Sequence, residues 1–488
     1  MKKKTAIVLL VLIVLLAFSS RLFFSFQTET VSYDAYFSLR QIESINDNLL
    51  PQFNDKLSFG GRTHLFTPLF YYLMALLDFI PAYEKVIPAL LFALSVIPVY
   101  LISFQFTKKR DISLMAAFFS SFIPVAFSLV NDVSVYSLLL LITLFTIYFV
   151  SRINEEKYLY LSIGSLVLLV LAHSSSFLVL LGFLIYLLLI KLESLEQNSK
   201  EQELILFGTF LALWYNFIVY KDAFLVNGPL LIWQNIPLQI LTNFYFDFNI
   251  IQSIYFIGII PVFFGIYGLY NTTFFSKKRP VLMIVAFFLS SLLLLWVKLI
   301  PFRIGLLFMS FMLVLLSAYS LHLFYSYIKK TKFDYIVNWV LVGILLLFFL
   351  TAIFPSITIA SKAIKLTPSK AEVDAMLWLK NNTANDSVVM ARPEEGNLIT
   401  YFAKRKNVID NDYLMVKDAQ QRYDDVSDVY NLRLKTEVVR ILNKYNVNYL
   451  YFSKKFGTQD KLYYLDEPCF NLVYDKVVQI YQVGCKLE

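Results

Sequence analysis

The chain has 488 residues, 58% of them hydrophobic and only 16% charged, with a mean hydropathy of +0.63. Soluble globular domains sit nearer half apolar and a quarter charged, so this composition excludes one and implies a polytopic membrane protein. The net charge of +8 comes from small Lys/Arg clusters between apolar runs, which read as topology signals rather than as a nucleic-acid-binding surface.

At the N-terminus, Lys2-Lys3-Lys4 precedes an apolar run over 5–26. No small-x-small cleavage site follows, so the run is expected to be an uncleaved signal anchor. Further runs long enough to cross a bilayer, about 17–25 residues, lie near 86–106, 112–130, 133–150, 158–172, 174–190 and 204–220. They continue near 251–270, 281–299, 304–325 and 335–354. The run 64–80 is ambiguous, since it carries Pro68 and Asp78 and ends at Pro81.

Charge decides that run. If 64–80 lies in the interface, Lys2–Lys4, Lys108-Lys109-Arg110, Arg152, Lys157, Lys191, Lys200, Lys277-Lys278-Arg279 and Lys329-Lys330 all share one side. The positive-inside rule makes that side cytoplasmic. The expectation is eleven crossings in the cell membrane, a cytoplasmic N-terminus and an external C-terminus. Residues 1–355 then form the transmembrane domain, whose first external loop, 27–85, carries the interfacial helix.

After Phe354-Pro355 the composition becomes that of a soluble domain, 356–488. Ser369-Lys-Ala-Glu372 is a capping box opening a helix. Strands are expected at 387–391, 408–410 and 449–453, with a hairpin over 470–483. This is a small external α/β domain. Cys469 and Cys485, the only cysteines, flank the hairpin and are expected to pair in an oxidising compartment.

The topology sends several polar residues to one face. Asp34, in Val31-Ser-Tyr-Asp34-Ala-Tyr-Phe-Ser-Leu-Arg40, sits where the first helix leaves the bilayer, and a carboxylate there is costly unless it has a task. Asp132 lies in the next external loop. Two such carboxylates can bind a divalent cation that neutralises a phosphate, or one can take an acceptor's proton, and the residues alone do not choose. Arg303 opens a late helix on the side where basic residues are disfavoured, and its planar fork suits phosphate oxygens. Arg40, Arg62 and His64 are further candidates for that duty, and His173 ends a helix facing the same side. The segment 221–249 is partly apolar, and reads either as a re-entrant segment or lid over a cavity, or as a flexible linker.

At these residues the chain resembles GT-C membrane glycosyltransferases, most of all the oligosaccharyltransferase catalytic-subunit branch. The likeness rests on Tyr33-Asp34-Ala-Tyr-Phe-Ser-Leu-Arg40, Val96-Ile-Pro-Val-Tyr100, Asn131-Asp132, Arg303, Ala375-Met-Leu-Trp378 and Ile399-Thr-Tyr-Phe-Ala-Lys-Arg-Lys-Asn-Val-Ile-Asp410-Asn. The resemblance implies a polyprenyl-(di)phosphate-linked sugar donor such as a dolichol carrier. It also implies a divalent metal (Mg2+ or Mn2+) on Asp34 and Asp132, and donor phosphate on Arg303; Arg40 and His173 are further phosphate-contact candidates from their own placement on the same side. Where the family carries WWDYG, this chain has Ala391-Arg-Pro-Glu-Glu-Gly396, and Asp132-Val-Ser134 keeps one acid of a DxD. The donor is therefore carried further by the resemblance than is transfer to an asparagine sequon. The rival readings are a transporter or flippase, and an inactive relative that scaffolds a glycosylation complex.

Overall fold

The computed structural model describes residues 2–245, 249–332, 334–456, 462–465 and 468–486. Its organising element is the helix Phe302–Ile328, in which every residue from Ile304 to Leu321 is buried. A helix apolar on all sides must be surrounded, and here Ile259–Asn271, Arg279–Trp296, Val96–Thr107 and Arg110–Ser121 surround it. Ile259–Asn271 packs on it through glycines. A Cβ on its Gly265 would meet the Leu313 carbonyl oxygen at 2.9 Å, and one on Gly268 the Leu316 carbonyl oxygen at 2.5 Å. Without a hydrophobic force between helices in lipid, such small-residue contact drives their association.

The protein is a polytopic helical membrane protein with a C-terminal sheet domain. Eight helical stretches among the described residues are long and apolar enough to cross a membrane. The three other expected crossings are helical but shorter: Arg110–Ser121, Tyr136–Val150 and Glu156–Ala172. Pro124 begins a tight turn after the first of these, and the loop around Asp132 delays the start of the second until Tyr136. The ambiguous run 64–80 forms only the helix Leu69–Leu76. At 1.5 Å per residue that is about 12 Å, too short to span a bilayer.

The segment after the first helix, Lys3–Ser25, is built rather than loose. Helix Ala35–Asn48 stops at Leu49, whose φ is 62°. A two-residue ladder follows, β1 (Asn54–Asp55) against β2 (Arg62–Thr63), antiparallel with Asp55 opposite Arg62.

The C-terminal domain opens on the expected capping box, with Ser369 N donating to Glu372 Oε2 at 2.7 Å ahead of helix Lys370–Asn382. Its sheet comprises β3 (Val388–Met390), β4 (Lys406–Asn407), β5 (Tyr449–Phe452), β6 (Phe470–Asp475) and β7 (Gln479–Val483), in the order β4-β3-β5-β7-β6. β4, β3 and β5 run parallel, while β5, β7 and β6 are antiparallel. Cys469 and Cys485 are disulfide-bonded across the β6–β7 hairpin. The strand expected at 408–410 forms two residues earlier. Asp410 has left the ladder, because its carboxylate is engaged by Ser58 and Arg62.

Candidate functional site: an acidic recess beside a cavity

Asp34 occupies the residue before helix Ala35–Asn48, where an Asp normally folds back to cap the helix. Here it does not cap. Ser32 takes that duty, its Oγ accepting from Ala35 N at 3.3 Å, and so the Asp34 carboxylate faces outward. The same Ser32 ties in the second acidic loop: its N–H donates to the Asn131 carbonyl (2.8 Å) and its Oγ to Asp132 Oδ1 (3.1 Å). Ser25 adds a third stitch, donating to Asn131 Oδ1 at 2.7 Å. Asp34 and Asp132 are thus held together by two serines.

The electrostatics follow from that closeness. Burial pushes the Asp132 carboxyl up to about 7, the Asp34 charge adds to the rise, and a hydrogen bond from Ser32 and the charge of Arg303 oppose it. Asp34 is solvent-accessible but recessed among protein atoms. Burial raises its pKa and the Asp410 charge adds to this, against a hydrogen bond from Asn411. Glu394 belongs to the same recess: burial raises it too, and it feels the Asp34 charge. Arg303 stands exposed in the first turn after Pro301. Among the described residues its guanidinium has no hydrogen-bond or ion-pair partner, so its fork is open.

The other basic candidates are spent elsewhere. Arg40 is buried and grips Asp55 with both terminal nitrogens, at 2.6 Å each. It is thus a structural cation rather than an open phosphate ligand. His64 lies between two carboxylates, Nε2 at 3.1 Å from Asp55 Oδ2 and Nδ1 at 3.1 Å from Asp412 Oδ2. Only an imidazolium donates to both. Burial alone would lower its pKa, but the bonds to Asp412 and Asp55 outweigh that and raise it. Arg62 pairs with Asp410 at 2.9 Å and with Asp412 at 3.5 Å. Arg40, Asp55, His64, Asp412, Arg62 and Asp410 therefore form one continuous latch between the loop after the first helix and the C-terminal domain.

Beside the recess is a cavity of about 850 Å3. Phe37, one turn along from Asp34, and Asp412, next to Asn411, form part of its wall. So does His173, whose Nδ1 accepts from Ser175 N at 3.0 Å. That bond leaves the ring proton on Nε2, and burial lowers the pKa to about 4, so the ring is a neutral donor. Leu213 and Phe217 line the apolar side and are 57% and 68% exposed on the outer surface of helix Ser199–Asn227.

Of the two readings of 221–249, the described part fits a cover. Leu231, Ile232 and Gln234 line the cavity. Trp233 Nε1 donates to the Val297 carbonyl at 3.0 Å, and Asn235 Nδ2 to that of Tyr413 at 3.0 Å. Residues 246–248 lie outside the described residues.

Among the described residues no group of three or more His, Cys, Asp or Glu side chains stands in metal-ligating geometry. Two mutually repelling carboxylates do fit the way Mg2+ is commonly held, by one or two acids together with substrate phosphates.

Sequence reasoning missed Asn411, Glu394 and the two serines. The only signal for the first was its place in Asp410-Asn411-Asp412, a polar triplet directly after the apolar pair Val408-Ile409.

No family model matches the chain, and neither does any curated protein. Solved structures do. The Archaeoglobus fulgidus oligosaccharyltransferase, tethered to an acceptor peptide containing the NVT sequon, superimposes with a TM-score of 0.69 at 15% identity. That match covers 93% of this chain and 69% of the other. AglB from the same organism, in complex with an inhibitory peptide and a dolichol-phosphate, gives 0.62 at 16% identity over 92% and 69%. The A. fulgidus enzyme is also known in complex with Zn and sulfate. ArnT from Cupriavidus metallidurans, bound to undecaprenyl phosphate, gives 0.51 at 11% identity over 99% and 100% of the two chains. The chain thus has the fold of the GT-C membrane glycosyltransferases that its sequence resembles.

Proposed function

We propose that this protein is an integral-membrane glycosyltransferase. It moves a sugar or glycan from a polyprenyl-(di)phosphate carrier to an acceptor on the external face. What carries the reading is one conjunction: two facing carboxylates and an open arginine beside a cavity with one polar and one lipid-exposed wall. An acid pair alone, or an apolar cavity alone, would support less. The structural neighbours solved with dolichol-phosphate and undecaprenyl phosphate support the same class of donor.

In this reading the polyprenyl chain lies along the Leu213–Phe217 wall and its phosphate meets Arg303, with the His173 Nε2–H as a second donor. The acceptor's O–H or N–H attacks the anomeric carbon. The carbon–oxygen bond to phosphate breaks, and its electron pair leaves with the polyprenyl (di)phosphate. The acceptor's proton passes to Asp34. Asp34 and Asp132 would hold a divalent cation, which when bound neutralises charge on the departing phosphate. Residues 356–488 form the external domain, with the N-terminus in the cytoplasm.

The test is direct. Purified protein in nanodiscs is given a radiolabelled polyprenyl-phosphate hexose together with host membrane extract as acceptor. Label leaving the lipid is the expected result, and wild-type protein that releases none overturns the reading. For orientation, a cysteine placed at Lys109 should label only from the cytoplasm and one at Ser369 only from outside.

A further inference from the structure

Asn411 belongs to the C-terminal domain, 377 residues from Asp34 in sequence, yet its Nδ2 donates to Asp34 Oδ1 at 2.9 Å. Among the described residues this is the only hydrogen bond that the Asp34 carboxylate receives. Its own helix offers none, because Ser32 already serves Ala35 N. The contact is not a chance meeting of two flexible side chains. Asp410 and Asp412, on either side of Asn411, are both clamped to the loop after the first helix. Ser58 and Arg62 hold Asp410 and His64 holds Asp412. Asn407 reinforces the clamp, its Oδ1 accepting from Phe59 N at 2.6 Å and its Nδ2 donating to the Gly396 carbonyl at 3.1 Å. The backbone of Asn411 is therefore fixed on both sides, while its side chain remains exposed at the recess.

We propose that Asn411 is the positioning residue of the site: by fixing the rotamer of Asp34, it makes the C-terminal domain part of the catalytic apparatus. The residue type suits the task. Asp410, Asp412, Glu394 and Asp132 all lie near, so a charged acceptor at 411 would repel Asp34, and a lysine or arginine would neutralise it. An amide donates a hydrogen bond and leaves the carboxylate its charge and its second oxygen. The proposal rests on the glycosyltransferase reading above.

The test uses the same nanodisc assay and labelled polyprenyl-phosphate hexose. Asn411→Ala should lower kcat by about ten- to a hundredfold, the scale of a misplaced catalytic group, and leave the donor KM within roughly twofold, since the direct donor contacts at Arg303 and His173 are untouched. Asn411→Asp should be worse than alanine, and Asn411→Gln, which keeps the amide, should recover part of the loss. A purely structural role would move the melting temperature and KM together, with no advantage for glutamine. Independently of turnover, a cysteine pair at 34 and 411 should crosslink on mild oxidation. Failure to crosslink overturns the contact, and crosslinking with wild-type kcat in Asn411→Ala overturns the role. Wild-type protein that moves no label overturns the transferase reading, and the role of Asn411 with it, while the crosslink still reports the contact.

Discussion

Two clusters of charge lie side by side in this protein and are handled in opposite ways. In the latch every carboxylate has a cation: Asp55 has Arg40 and His64, Asp410 has Arg62, and Asp412 has both His64 and Arg62. The pKa values of Asp55, which is buried, and of Asp412, which is half-buried, are accordingly held down. In the recess burial raises Asp34, Asp132 and Glu394 alike, and the Asp34 charge adds to the rise of the other two. Arg303 acts on Asp132, and Arg392 on Glu394, only through space. A fold that satisfies six charges in one place leaves acids without a bonded cation in the next, which is the pattern expected of a functional site. The latch fixes the chain on both sides of Asn411 at the recess, and the charge of its Asp410 reaches Asp34.

The largest effect should come from the recess. Asp34→Asn removes the proposed base and should cost about 10²–10⁴ in transfer rate. The comparison sharpens on stability, because the same change relieves repulsion with Asp132. It should leave the melting temperature in detergent unchanged or raised, as substitutions of strained functional groups commonly do. Wild-type turnover by Asp34→Asn would sink the assignment. In the latch the pattern should invert. Asp55→Ala strands two buried cations, Arg40 and His64, and should cost about 3–5 kcal/mol of stability. Limited proteolysis would report it as loosening of the C-terminal domain. Equal effects from the two substitutions would erase the distinction between the clusters.

This contrast explains what the sequence could and could not reveal. The helical fold was legible because apolar runs have a length that lipid dictates. Placing Asp34, Asp132 and Arg303 on one face needed only a count of basic loops. Arg40 read as an available cation because its partner sits on a two-residue strand, too short for any propensity or alternation to announce. Asn411 and Glu394 were invisible for a stronger reason. Their meaning comes from docking two segments some hundreds of residues apart, and no local period encodes that. The strand expected at 408–410 was displaced by the same docking, since Asp410 exchanges a ladder position for Arg62 and Ser58.

Arg303→Ala should act on binding and not on the chemical step. Loss of a charge-assisted contact to phosphate costs about 1.5–3 kcal/mol, roughly ten- to a hundredfold in donor KM. Excess polyprenyl-phosphate hexose should restore the rate. It should not restore that of Asp34→Asn, and a fall in kcat that saturating donor leaves in place would assign Arg303 to another step.

The smallest expected effect is also the most diagnostic of the latch, because it depends on pH. The folded pKa of His64 is raised above its ordinary 6.5, so its contribution is fully present below about pH 6.5 and is lost as pH rises through the folded value. Asp55 and Asp412 shift the other way. Their contribution is present above their ordinary 3.8 and is lost as pH falls below it. Docking of the C-terminal domain should therefore be firmest between these limits and loosen on the alkaline side. The Asp55 arm should dominate, because the Asp412 side chain is 42% exposed and its charge is screened. The Arg62 charge works against the protonated ring, which is buried beside the rings of Phe37 and Phe66. His64→Gln can still hydrogen-bond one carboxylate but carries no charge. It should be less stable than wild type near pH 6 and converge on it toward pH 9. Melting curves across that range decide the matter: parallel profiles for the two proteins would mean that His64 is not the group that titrates.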